Sequence, residues 1–172
     1  MSEGGSHRLT AKHLGAAVGI DHSTIFRHFD DKTAIVQAAI DLFELQLQAS
    51  FPDGDPGLPA LQAFIQHRYG LVLKQPALVR LAFSASSLAA AGEQAQARRV
   101  HRIVRRSMTY IAHCLQAAVD AGEIDSPAQT QVLTWAVAGV VRGAATAPKS
   151  RRLPPDELWA QICDLIGAPR HP

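Results

Sequence analysis

Along almost the whole chain, apolar residues recur at helical spacing between glycine and proline breaks, and this rhythm constrains the fold more than any other feature. No run alternates apolar and polar residues in the way a half-buried strand requires. Aromatic residues are only 6% of the chain, and alanine and leucine dominate, which favours helix throughout. The breaks fall at Gly19, Pro52 to Pro59, Pro76, Gly92, Gly122 with Pro127, Pro148, Pro154 with Pro155, and Gly167 with Pro169. They predict helices near 10–17, 22–29, 31–49, 58–73, 76–90, 93–121, 127–147 and 156–167. The expected fold class is all-α. The stretch from Pro52 to Pro59, rich in breakers and acids, reads as a linker, so we expect a small N-terminal domain over 1–50 and a larger helical bundle over 51–172.

With 172 residues and 47% apolar content, the chain can bury a core. The longest nearly uncharged stretch, Leu81 to Gly92, is shorter than the roughly 18–20 residues a membrane span needs and contains Ser84, Ser86 and Ser87. Nothing at Met1 resembles a secretory leader, so the expected location is cytoplasmic, with no membrane partner. Cys114 and Cys163 sit in no ligand spacing and are expected to be buried, reduced thiols. The eight histidines have no helical metal-site spacing: His7 and His13, like His22 and His28, are six apart. No metal, cofactor or catalytic site is expected, because no HExxH, GxSxG, GxGxxG or P-loop occurs and Glu93 is the lone acid between residues 60 and 115.

The segment Leu9 to Lys32 has the composition of a helix-turn-helix. Thr10 can cap a first helix carrying Leu14 and Val18 on one face, with Gly15 beside them. Gly19 stands where the chain must turn, Ile20 plugs the corner and Asp21 caps the second helix. That helix buries Ile25 and Phe29 and presents His22, Ser23, Thr24, Arg27 and His28, a donor-rich surface suited to phosphates and base edges. Two short helices around a glycine can also be a plain packing unit, but the full 24-residue order goes further. Thr10, Gly19, Thr24, Phe26, His28, Phe29 and Lys32 together resemble the DNA-binding motif of the TetR family.

The resemblance implies a DNA-binding, ligand-responsive transcriptional regulator that is not an enzyme. It implies a homodimer acting as a repressor on a palindromic operator in double-stranded DNA, with a small-molecule effector. On the matching positions, Thr24, Phe26, His28 and Lys32 would contact mostly the DNA backbone, and His22, Ser23 and Arg27 would contact bases or phosphates. Phe26 departs from the family's usual Tyr and lacks its hydroxyl. The family's first helix is expected to be missing, since only Met1 to Ser6 precede His7. The alternative reading is a helical ligand- or protein-binding dimer that has lost DNA binding.

Beyond Pro52 the likeness is one of pattern. The string from Ala118 to Gly143 resembles the family's penultimate helix and its entry turn, which with the final helix would form a two-fold four-helix bundle. The expected dimer residues are Trp135, Gly139, Gly143, Leu158, Ile162 and Leu165. An effector pocket is expected among the middle helices, lined by Phe64, His67, Leu71, Phe83, Ser87, Met108, Ile111, Cys114 and Trp135, although each also suits plain core packing. The basic run Arg98, Arg99, His101, Arg102, Arg105 and Arg106 falls largely on one side of a helix: a solvated face, or a site for an anion or for DNA phosphates.

Overall fold

The structure is a computed structural model that describes residues 32–75 and 94–170. The expected helices near 10–17, 22–29 and 76–90 lie outside the described residues. The others form within three residues of the expected bounds: α1 (Lys32–Gln48), α2 (Leu58–Lys74), α3 (Gln94–Asp120), α4 (Thr130–Thr146) and α5 (Pro155–Ile166), with a 3-10 turn at Lys149–Arg151 before α5. Among the described residues there is no strand, and the architecture is all-α.

Helix α2 lies at the centre, touching α3, α4 and α5, while α3 and α4 pack along one another. Pro59 pre-sets the first turn of α2. Leu58, Leu61, Ile65, Tyr69 and Val72 then repeat at helical spacing and are buried. They meet Leu115 and Ala118 of α3, Leu133 and Val137 of α4, and Leu158, Trp159, Ile162 and Ile166 of α5 in one core. The polar tip of Tyr69 is satisfied within it, since its hydroxyl donates to the Leu153 carbonyl at 3.0 Å. Cys114 and Cys163 are buried free thiols. Burial raises both, Cys163 to about 11, so neither is a thiolate at neutral pH.

Helix α1 lies along the N-terminal half of α3, away from this core. Its buried apolar residues, Ile40 and Leu47, and the buried Ala97 and Val100 of α3 are separate from the main cluster. Among the described residues no helix is long and apolar enough to cross a membrane.

Helices α3 and α5 end alike. Gly122 and Gly167 take left-handed backbone angles, φ +71° and +73°, and the next residues, Glu123 and Ala168, donate back to the carbonyls of Ala118 and Cys163 at 2.9 Å. Gly167 also holds the Asp125 amide on its own carbonyl at 2.9 Å. A Cβ at Gly167 would run into the Asp125 carbonyl, whereas one at Gly122 would meet open space. Gly122→Ala is therefore expected to lose about 1–2 kcal/mol, the cost of the left-handed angle alone, and Gly167→Ala clearly more. Urea unfolding of the two variants checks this, and equal losses would mean the Asp125 contact adds nothing.

Candidate functional site

Three surfaces collect the residues expected to carry function. The first is the DNA-binding set. His22, Ser23, Thr24, Phe26, Arg27 and His28 lie outside the described residues, as does the side chain of Lys32, whose backbone opens α1.

The second is the outer face of α4 and α5. Trp135 and Leu165 are 57% and 52% exposed, and Val132, not expected from the sequence, is 46% exposed on the same helix as Trp135. Gly139 and Gly143 continue the α4 stripe at a spacing of four, and nothing stands within 4 Å of a Cβ at either. Leu158 and Ile162 depart from the expected dimer set. They are 2% and 0% exposed and belong to the core of their own chain, facing α2. Trp135 also leaves the expected pocket lining, because it points outward.

The third is the interior expected to hold an effector. Phe64, Ile111 and Cys114 are buried in the core, with Leu71 and Met108 partly covered. His67 departs from the set, since it is exposed on α2. Phe83 and Ser87 lie outside the described residues. Phe64 belongs to an aromatic cluster with Phe51 and Tyr110, whose ring centres are 4.9–5.3 Å apart. Burial, together with Cys114, pushes the Tyr110 hydroxyl up to about 12.

Beside this cluster lies a groove that the sequence did not suggest. It has a volume of about 410 Å³ between α1 and α3 and is lined by Asp41, Glu44, Leu45, Leu47, Gln48, Phe51, Arg102, Ile103 and Arg106. The basic run of α3 is thereby divided. Arg99 closes onto α1, donating to Asp41 Oδ1 at 2.7 Å and to both carboxylate oxygens of Glu44. The Arg99 hydrogen bond holds the Asp41 carboxyl below its usual range. Arg106 donates to Gln48 Oε1 and lies 4.3 Å from the centre of the Phe51 ring. Arg102 lines the groove, and Arg98, His101 and Arg105 are exposed.

Arg68 of α2 also reaches Phe51. Its guanidinium lies 4.7 Å from the Phe64 ring centre and 5.2 Å from that of Phe51, and it donates to the Ser50 hydroxyl and to the Leu47 carbonyl. Burial, with Arg106 nearby, pulls it down to about 9. A signal was present in the sequence, because Arg68 is the lone cation within the apolar run of α2 before Lys74.

Residues 1–39 match the family model described as bacterial regulatory proteins, tetR family. Among curated proteins none matches the chain. Two solved structures share the fold. One is AibR in complex with isovaleryl coenzyme A and operator DNA, with TM-score 0.62 and 16% identity over 92% of this chain and 88% of that one. The other is a transcriptional regulator of the TetR/AcrR family from Thermobifida fusca, with TM-score 0.56 and 17% identity over 91% of this chain and 84% of that one.

Proposed function

We propose that this chain, whose residues 1–39 match the tetR family model, is a TetR-type regulator: a ligand-responsive DNA-binding repressor acting as a homodimer on a palindromic operator. The observation that carries this reading is the family match over residues 1–39, which includes every residue expected to touch DNA. The division into a DNA-binding unit over 1–50 and an effector and dimerisation unit over 51–172 belongs to the same proposal. It is supported by α1, which starts inside the matched segment and ends on the bundle. The exposed stripe of Val132, Trp135, Gly139 and Gly143, with Leu165, supports a two-fold interface through α4 and α5. AibR, which shares the fold, was crystallised with both an acyl-coenzyme A and operator DNA, and this supports an effector and a DNA partner here.

In this reading the effector changes the separation of the two recognition helices in the dimer, which needs a coupling of only about 1–3 kcal/mol. Binding to the region upstream of the protein's own gene is the direct measurement. Lys32→Ala is expected to weaken binding about equally on all sequences and to flatten its salt dependence by about one phosphate contact. If Lys32→Ala and Thr24→Ala both leave affinity and salt slope unchanged, this segment is not the DNA surface and the reading fails.

A further inference from the structure

We propose that the groove between α1 and α3 is a receptor for an amphiphilic organic anion, whose carboxylate or phosphate is held by Arg106 and Arg102 while its apolar part lies against Phe51 and Ile103. This deepens the regulatory reading and rests on it, since it assigns the effector a place and a chemical class.

The argument begins with charge. Two guanidiniums, of Arg102 and Arg106, line the groove with two carboxylates, Asp41 and Glu44, while Arg99 and Arg68 lie next to these lining residues without lining it themselves. Both carboxylates are taken by Arg99. The remaining three cations have no acid among the described residues: Arg68 donates to a hydroxyl and a carbonyl, Arg106 to an amide oxygen, and Arg102 to nothing. Arg106 is the most telling of them, because it is stacked on Phe51 and hydrogen-bonded only to a neutral amide oxygen, so a carboxylate or phosphate in the groove would give it the counter-charge it lacks among the described residues.

Shape and polarity agree. Arg106 lies against the Phe51 ring and Arg102 stands one helical turn before it on α3, so an anion in the groove beside that ring has two lining guanidiniums within one turn of helix. A guanidinium fork binds carboxylate or phosphate through paired hydrogen bonds, and its planar face stays stacked while it does so. The groove also offers apolar wall, and its volume of about 410 Å³ is within the range of small-molecule sites. A purely inorganic ion would leave that wall unused. Position gives the site its consequence, because the walls belong to α1, which continues from the matched DNA-binding segment, and to α3, the longest described helix of the bundle. An occupant touching both bears on the angle between them.

Calorimetric titration of the full chain with hexanoate, hexyl phosphate and 1-hexanol tests the site. The anions are expected to bind at least about tenfold more tightly than the alcohol, as expected for charge-assisted hydrogen bonds. The tighter of hexanoate and hexyl phosphate identifies which acid group the site prefers. Arg106→Met, and independently Arg102→Met, is expected to weaken anion binding about tenfold or more, while Arg98→Met, exposed and outside the groove, leaves it unchanged. A thermal melt of each variant checks that the fold survives, and Arg102→Met, which removes no hydrogen bond among the described residues, is expected to melt like wild type. The proposal is overturned if neither anion binds at millimolar concentration, if 1-hexanol binds equally well, or if both groove variants bind like wild type. Operator binding measured alongside separates the two readings. Anion binding with no effect on DNA affinity would retain the site and sink the regulatory role. Release of DNA by another compound, with no anion binding, would do the reverse.

Discussion

Gly139→Arg is expected to turn the proposed dimer into a monomer, with a dissociation constant about two to three orders of magnitude above wild type. The residue is exposed on α4, and nothing of its own chain stands within 4 Å of a Cβ there, so arginine clashes with nothing in the monomer. Arginine is also a better helix former than glycine by about 0.5–1 kcal/mol, so the folded monomer gains rather than suffers. At a two-fold interface, however, each new guanidinium would meet the partner's copy of the same small-residue stripe with no acid to receive it. Burying an unpaired charge costs about 3–5 kcal/mol, and every 1.4 kcal/mol is tenfold. Sedimentation equilibrium reads the effect directly. A variant that stays dimeric would remove α4 from the interface, and so would a wild type already monomeric at the same concentration.

The second large effect belongs to the core. Trp159 of α5 is 2% exposed and, among the described residues, is the largest fully buried side chain, in a core shared by α2, α3, α4 and α5. Trp159→Ala is expected to lose about 3–5 kcal/mol, a large part of the stability of a domain this size. The indole nitrogen has no hydrogen-bond partner among the described residues. Trp159→Phe, which keeps most of the ring and removes that unsatisfied donor, is therefore expected to cost less than half as much. Urea unfolding of both variants decides it. If phenylalanine were as damaging as alanine, a hydrogen bond of the indole would be contributing to stability.

What the sequence revealed follows from the range over which its signals act. Helix ends were legible because their causes are local: Pro59 and Pro155 start helices, and Gly122 and Gly167 stop them through backbone angles that other residues avoid. Pro127 was read as a helix start, but α4 begins at Thr130, and the Ser126 hydroxyl accepts from the Ala128 amide in the turn between. Apolar spacing marked Leu158, Ile162 and Leu165 on the last helix together as dimer residues but could not say which of them met their own chain. Leu158 and Ile162 went to the core and Leu165 to the surface, because period alone carries no address. The groove was the least legible feature. The partners of Arg99 and Arg106 lie between 55 and 58 positions away on α1, so the basic run read by itself left a solvated face, an anion site and a site for DNA phosphates undivided.

The attachment of α1 sets how the molecule can yield. Among the described residues, the helices from α2 onward share one continuous apolar core, while α1 meets α3 through the separate patch of Ile40, Leu47, Ala97 and Val100 and through polar links from Arg99, Arg106 and Arg68. Contacts of the first kind must be broken together, because close-packed side chains do not slide. Those of the second kind can be exchanged one at a time with water and ions. The chain thus joins a stiff body to a lever along a soft seam, and the seam, rather than the body, is where a small force can do work.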